Sequence, residues 1–428
     1  MSIRKDLPDL LKAGIITQDT ANGIEAYYKC KTGSSSNRLF VAFGILGSLL
    51  IGLGIILIIA HNWDELSRTA KTFLAFIPLV LAQIIGAFVL FKRAASTVWV
   101  ESAATFLFFA VGACISLISQ IYHIPGNLSS FLLIWMLLCA PLIYIMKSSM
   151  AALLFLMGIT YYAAETSYFS YPGEQSYLFW LLLIALFPHY NLLFHKSPKG
   201  NFLRLLNWLL PLSVTIALGT VASAEGALMF IAYFSLFGLF YSIGNNAFFK
   251  NNDLKNNPFK VIGTLGTLVL LFVVSFEGFW ADKRNQEFDF STLITAVEFW
   301  AAIALTLLAL AYLYKQYRNV PLRELPILSP IFLLFALIYC LGFYTSFATA
   351  AINIIILVIS IHTIIVGAKR EHLGILNFGL SIITIWIVIR FLNSDLSFVI
   401  RGLLLMAIGI GFFTANYLML KKRRSNEQ

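Results

Sequence analysis

The residues of this sequence that are best suited to chemistry are polar side chains near the ends of long apolar runs. Five of them directly follow the first apolar run: His61, Asn62, Trp63, Asp64 and Glu65. Four more lie farther along the chain, close to the ends of other apolar runs: Glu298, Arg390, Asp395 and Arg401. Carboxylates beside a histidine can relay protons, and arginines can bind an anionic group through paired N–H donors. What these groups can do depends on the elements that hold them.

The composition places those elements in a membrane. Apolar residues make up 59% of the 428 residues, charged residues only 12%, and the mean hydropathy is +0.84. A soluble domain usually carries about 25% charged residues. The apolar runs continue unbroken for roughly 17–25 residues, which is the length of a membrane-spanning helix and unlike the alternating pattern of a barrel strand. We therefore predict an all-α, polytopic membrane helix bundle.

Length and hydropathy predict about fourteen transmembrane helices in this bundle. The predicted spans are 39–60, 71–91, 102–120, 128–146, 150–164, 176–194, 203–222, 226–243, 258–280, 291–314, 325–344, 347–366, 372–391 and 397–419. The bundle thus occupies residues 39–419. A cytoplasmic N-terminal helical cap of residues 1–38 precedes it, and a basic cytoplasmic tail of residues 420–428 follows.

The distribution of positive charge predicts the orientation. With the N-terminus in the cytoplasm, 24 of the 30 lysines and arginines fall in cytoplasmic segments. This imbalance follows the positive-inside rule and places both termini in the cytoplasm. It also explains the net charge of +10 without nucleic acid as a partner. Membrane lipids are the expected partners, and the sequence points to no particular protein partner.

The nine polar residues then support two interpretations, which the sequence leaves open. In the first, they line a pocket open to the periplasmic side that binds a small-molecule or lipid-linked substrate. Glu298 lies deepest, and a charged group inside a membrane helix costs roughly 3 kcal/mol unless it is paired or hydrated. In the second, they cap helices, reach the interface and pair with one another, while Trp63, Trp280 and Trp300 form an aromatic belt.

Local signals organise the N-terminal cap. An amphipathic stretch from Ile3 to Ala13 predicts a short helix that Gly14 can end, and Thr17 is suited to cap a second helix. The run Thr-Gly-Ser-Ser-Ser-Asn at 32–37 predicts a flexible joint before the first span.

Motifs for standard chemistries are missing from the sequence. It contains no GxSxG elbow, no Walker A loop and no GxGxxG motif after a strand. The four cysteines form no CxxC pair, and His189 and His362 lack metal-binding contexts. We predict no cofactor, no metal and no catalytic residue, and this pattern leans against an enzyme without deciding the matter.

Two regions resemble a known family. The stretch GLGIILIIAHNWDEL, preceded by KAGIITQDTANGI, resembles the N-terminal region of the bacterial membrane proteins called domain of unknown function 2157. There a glycine-rich first span ends in a motif matched here by Ala60, Asn62, Trp63 and Asp64. The stretch NFGLSIITIWIVIRFLNSDLSFVIRGLLLMAIGIGFF resembles the family's ending, with Arg390, Asp395, Arg401 and Gly402 at the matching places. The resemblance implies a bacterial inner-membrane protein and supplies no activity.

Three functions remain open. A transporter or lipid-linked flippase is favoured by the number of spans, the lack of a large soluble domain and the predicted outward pocket. A non-catalytic membrane sensor or assembly scaffold would pair its rim charges and leave no pocket. An integral-membrane transferase using a lipid-linked donor would employ Asp64 and Glu65 as metal ligands or as a base.

Overall fold

The computed structural model of the chain describes most of the helical bundle. The described residues are 7, 10, 11, 13–61, 67–170, 173–222, 226–249, 253–284, 294–318, 321, 325–342, 344, 345 and 347–392, together with scattered positions between 399 and 417. Among these residues all regular structure is helical, with no strand. This confirms the prediction of an all-α fold.

The helices are numbered here in chain order. They are α1 (Gln18–His61), α2 (Arg68–Lys92), α3 (Thr97–Tyr122), α4 (Leu128–Ile145), α5 (Ser149–Ala164), α6 (Leu178–Lys196), α7 (Asn201–Leu218), α8 (Met229–Gly244), α9 (Pro258–Val274), α10 (Glu277–Arg284), α11 (Val297–Tyr317), α12 (Ile331–Gly342), α13 (Phe347–Lys369) and α14 (Leu373–Leu392). A π-helical turn, Glu165–Phe169, extends α5, and short 3₁₀ turns lie at Gly219–Val221, Gly226–Leu228 and Leu254–Asn256.

Nine helical segments within the described residues are long and apolar enough to cross a membrane. Large apolar side chains stand exposed on their surfaces; on α2 these include Phe73, Phe88 and Phe91. Such faces are stable against lipid and costly against water. A polytopic membrane protein is therefore confirmed, and the number fourteen for its spans stays a prediction.

The N-terminal segment confirms two local predictions and corrects a third. Gly14 takes a left-handed conformation, with φ of 67°, in the turn that follows the helical residues Leu10 and Leu11. Thr17 Oγ1 then accepts a hydrogen bond from the Thr20 backbone N–H at 3.4 Å, and α1 begins at Gln18. The predicted flexible joint at 32–37 is wrong, because α1 continues through it as one 44-residue helix. Serine and a single glycine each cost only about 0.5–1 kcal/mol in a helix, which is too little to force a break.

The chain divides into two compact units, of which the first comprises residues 1–173 and 177–206. Helix α3 is its central element and packs against α1, α2, α4 and α5. Small residues permit these close contacts: a Cβ on Gly112 would lie 2.5 Å from the ring of Trp135. The Trp135 indole N–H donates to the Phe108 carbonyl at 2.8 Å, which fixes α4 against α3.

The second unit comprises residues 174–176 and 207–428 and is organised around α8. Helix α8 packs against α9, α11 and α12, while α13 packs against α12 and α14. Helices α8 and α9 approach so closely that a Cβ on Gly263 would lie 2.6 Å from the Tyr241 backbone nitrogen. Phe234 of α8 stacks on Phe335 of α12 with ring centroids 3.8 Å apart. This core holds the region described next.

Candidate functional site

Two of the nine predicted site residues can be placed with their side chains. Arg390 lies in the last turn of α14 and Glu298 in the first turn of α11. His61 is the last residue of α1, with its side chain outside the described part. The remaining six also lie outside the described residues: Asn62, Trp63, Asp64, Glu65, Asp395 and Arg401. Whether the nine share one pocket therefore stays a prediction.

The surroundings of Arg390 depend on a break between α9 and α10. The sequence predicted one span over 258–280, but α9 ends at Val274 and α10 begins at Glu277. Trp280 is fully buried, and its indole N–H donates to the Val274 carbonyl at 2.7 Å. This bond ties α10 to the C-terminal end of α9. The carbonyl of Ser275 is left at a helix C-terminus, where carbonyl groups lack intrahelical donors and attract cations.

Asn353 of α13 links this break to α14. Its amide nitrogen donates to the Ser275 carbonyl at 3.2 Å and to the Thr349 carbonyl at 2.6 Å. Its amide oxygen accepts from the Trp386 indole N–H at 2.8 Å. The same oxygen accepts from Arg390 through Nε at 3.1 Å and Nη2 at 2.9 Å. One side chain therefore joins three elements through hydrogen bonds.

The guanidinium of Arg390 is held entirely by neutral groups within the described part of the chain. Besides Asn353, Nη2 donates to the Ser275 carbonyl, and the group lies 5.3 Å from the centroid of the Phe276 ring. No described carboxylate lies within 4.0 Å of it. Arginine has five N–H donors. The described contacts use those of Nε and Nη2, and those of Nη1 have no described acceptor.

A second arginine near the break is paired. Arg284 forms an ion pair with Glu277, and the other oxygen of that carboxylate accepts from the Thr349 hydroxyl. The hydrogen bond from Thr349, followed by that from Arg284, holds the pKa of Glu277 below its ordinary value. Thr349 lies one turn before Asn353 on α13, so the charged pair and the Arg390 contacts share one scaffold. Arg390 and Arg284 thus differ in having a neutral and an anionic partner, respectively.

Glu298 occupies a different environment in the second unit. Its side chain has no exposed surface, and its position in the first turn of α11 exposes the carboxylate to the positive end of the helix dipole. Helix α11 packs against α8 and the turn Gly226–Leu228. Helix α14, which carries Arg390, packs chiefly against α13. The two predicted residues are therefore positioned by different helix pairs.

The sequence reasoning did not single out Glu101, which is buried in the first unit. Its carboxylate accepts from the backbone N–H of Ser149 at 3.0 Å and of Met150 at 2.8 Å, and from the hydroxyl of Ser148. Ser148 in turn accepts from the Ala151 N–H at 3.1 Å. These bonds cap the start of α5 and account for the burial of a carboxylate as helix stabilisation. A signal was available in the serines at the start of the predicted fifth span, but the partner lies 47 residues earlier.

Metal coordination finds no support in the described residues. No three histidine, cysteine, aspartate or glutamate side chains among them come together as metal ligands would. The described contacts in the Arg390 region are hydrogen bonds, one ion pair and a contact between the guanidinium and an aromatic ring.

Comparison with known proteins identifies one similarity. Residues 8–152 match the model of a family described as predicted membrane protein, domain of unknown function 2157. The resemblance proposed from the sequence is confirmed for this stretch, which includes Glu101 and its partners at the start of α5. The C-terminal stretch that resembles the family lies beyond the matched residues. No curated protein and no solved structure matches the chain.

Proposed function

We propose that this membrane protein is a transporter or lipid-linked flippase that binds an anionic group of its substrate at Arg390. The observation that carries the proposal is the neutral coordination of the guanidinium by Asn353 and the Ser275 carbonyl. Neutral acceptors orient a guanidinium and leave its charge available. The charge of Arg284, by contrast, is neutralised by its ion pair with Glu277.

The two donors on Nη1 suit a phosphate or carboxylate oxygen, because hydrogen bonds between ions are roughly twice as strong as neutral ones. Arg390 lies at a helix end, half buried, and Trp386 beside it has the amphipathic character of residues at the membrane interface. A lipid phosphate at the level of the headgroups and a soluble anion could both reach such a position. The charge distribution along the chain favours the periplasmic side of a bacterial inner membrane for this site.

Binding experiments on the purified full-length protein test this function. One arm titrates inorganic phosphate into protein held in a neutral detergent. The other measures retention of phosphatidylglycerol by native mass spectrometry. A lipid-linked substrate predicts binding in the second arm only, whereas a soluble substrate predicts binding in the first.

Matched variants make the experiment specific. Arg390→Gln should abolish binding, and Arg390→Lys should weaken it because lysine lacks the planar fork of donors. Arg284→Gln is the control, since that arginine is already paired, and it should bind as the wild type does. If Arg390→Gln and the wild type bind both probes equally, the site is not an anion site. The hydrogen bonds around Asn353 would then favour an assembly scaffold.

A further inference from the structure

The first unit presents a basic surface at one end of its helices, whereas Arg390 belongs to the second unit. The surface consists of two turns. The turn between α2 and α3 carries Lys92 and Arg93, and the turn between α4 and α5 carries Lys147. All three side chains are exposed, and none belongs to an ion pair between described residues. These three residues are called the basic rim here.

A buried carboxylate joins the two turns of the basic rim. Glu101 of α3 accepts from the backbone N–H groups of Ser149 and Met150 at 3.0 and 2.8 Å, so the start of α3 lies against the start of α5. Helix α3 begins at Thr97, four residues before Glu101, which puts the α2–α3 turn about 6 Å along the axis from that residue at 1.5 Å per residue. Both turns are therefore within reach of one lipid headgroup.

The balance of charge at these turns is one-sided. In the two turns and the helix starts that follow them, Glu101 is the one acidic residue, and its carboxylate is occupied by donors at the start of α5. By contrast, the α13–α14 turn of the second unit places Glu371 directly after Arg370. The positive-inside rule explains the lysines and arginines but not the lack of exposed acids, because aspartate and glutamate contribute little to orientation. An anionic partner explains both features.

The backbone of Lys147 supports a role for its side chain. Its φ is 51°, in the left-handed region, where the Cβ of an ordinary residue is crowded. Glycine has no Cβ and adopts this conformation freely. The chain thus keeps a cation at a backbone position that suits glycine, directly before Ser148, whose hydroxyl caps α5.

An aromatic pair indicates the depth of the basic rim in the bilayer. Trp99, in the first turn of α3, is 48% exposed and packs edge to face against Phe88 of α2, with ring centroids 6.4 Å apart. Exposed tryptophans of membrane proteins concentrate at the level of the lipid headgroups. Lys92 follows Phe88 by one helical turn and Arg93 comes next, so their charges lie on the headgroup side of this pair.

We propose that the basic rim binds an anionic phospholipid whose headgroup carries two phosphates, one held by the α2–α3 turn and the other by Lys147. Hydrogen bonds from lysine or arginine to phosphate oxygens are roughly twice as strong as those between neutral groups. Cations on two separate turns suit two phosphates of one headgroup, because a single phosphate is held by only one of the turns. This surface goes beyond the proposed function and does not depend on Arg390.

Native mass spectrometry of the full-length protein tests the lipid site. Cardiolipin is the probe with two phosphates, and phosphatidylglycerol is the probe with one. All measurements use protein that also carries Arg390→Gln, so that a lipid at Arg390 does not contribute. This parent protein should retain cardiolipin and lose phosphatidylglycerol under the same conditions.

Lys147→Gly separates the charge from the stability of the fold, because it removes the cation and relieves the backbone. Retention of cardiolipin should fall about tenfold, the effect of losing one hydrogen bond between ions, while the midpoint of thermal unfolding should not fall. Arg93→Gln should lower retention to a similar extent. Arg68→Gln is the control, since this exposed arginine lies at the opposite end of α2, and it should retain cardiolipin as the parent does.

Two results would overturn the lipid site. The first is equal retention of cardiolipin by Lys147→Gly, Arg93→Gln and their parent, which would show that the basic rim holds no lipid. The second is equal retention of the two probes by the parent, which would show that no second phosphate is recognised. Because Arg390 is replaced throughout, failure of the anion site at Arg390 leaves both expectations unchanged.

Discussion

Replacement of Asn353 should separate the stability of the Arg390 region from its charge. Asn353→Ala removes four hydrogen bonds between elements: three that its oxygen accepts from Trp386 and Arg390, and one that its nitrogen donates to Ser275. Such bonds between membrane helices average about 0.6 kcal/mol each. We therefore expect a loss of about 2–3 kcal/mol in the free energy of unfolding. Complete desolvation would double this value, but the half-buried position of the residue favours the lower figure.

Asn353→Asp should behave differently. The aspartate keeps the acceptor oxygen for Trp386 and Arg390 and gains an ion pair with the guanidinium, while it loses the donor to the Ser275 carbonyl. These changes oppose each other, so we expect unfolding within about 1 kcal/mol of the wild type. The new carboxylate neutralises Arg390, however, and anion binding should be lost.

Unfolding in mixed micelles, followed by tryptophan fluorescence and circular dichroism, measures both variants, and the binding assays above supply the second readout. The reasoning is refuted if Asn353→Ala unfolds within about 0.5 kcal/mol of the wild type, the usual range for a surface substitution. It is also refuted if Asn353→Asp is stable and binds anions as before, since the charge of Arg390 would then be irrelevant to binding.

Three further predictions concern stability. Glu101→Ala should lower the free energy of unfolding by about 2 kcal/mol, because three hydrogen-bond donors at the start of α5 lose their acceptor. An unchanged unfolding curve would show that this cap is dispensable. Gly263→Ala should destabilise the protein because the new Cβ clashes with the backbone of α8. Gly54→Ala, which has open space around it, should be neutral or should stabilise the protein by up to about 1 kcal/mol. Equal midpoints of thermal unfolding for the two variants would contradict this expectation. The lowered pKa of Glu277 means that its contacts with Thr349 and Arg284 stabilise the protein above the ordinary pKa of 4.5, and that this stabilisation is lost as the pH falls through the lower, folded-state pKa. Glu277→Gln should therefore flatten that acidic part of the stability profile, and an identical profile would show that the ion pair contributes nothing.

Much of the fold was predictable because membrane helices are specified locally. The apolar run of each span sets its length, and local side chains set several ends: Ser67 accepts from the Ala70 N–H at 3.3 Å at the start of α2, and Asn127 does so from the Ser130 N–H at 2.9 Å at the start of α4. The break at 275–276, which interrupts the predicted span 258–280, has a nonlocal cause. The predicted span is apolar enough to continue, but the burial of Trp280 against α12 and α13 favours a turn: a Cβ on Gly342 would lie 2.4 Å from its ring.

The candidate site was predictable only in part. Arg390 was identified from its type and its place at a helix end, and the carboxylate partners expected for it are not among its described contacts. The actual partners lie 37 and 115 residues away in the chain, and one of them is a backbone carbonyl with no signature in the sequence. Glu298 lies in the first turn of α11, nearer to a helix start than the predicted span 291–314 placed it, and its full burial depends on how α11 packs against its neighbours.

The most direct test of the anion site is to identify the partner of Arg390 Nη1 in an experimental structure of the protein in nanodiscs that contain phosphatidylglycerol. We predict density for a phosphate group within hydrogen-bond distance of Nη1, with Asn353 and the Ser275 carbonyl holding the rest of the guanidinium. The same density should be absent with Arg390→Gln. An ion pair between Nη1 and a carboxylate of the chain, such as that of Asp395, would contradict the account, because the charge of Arg390 would then already be neutralised.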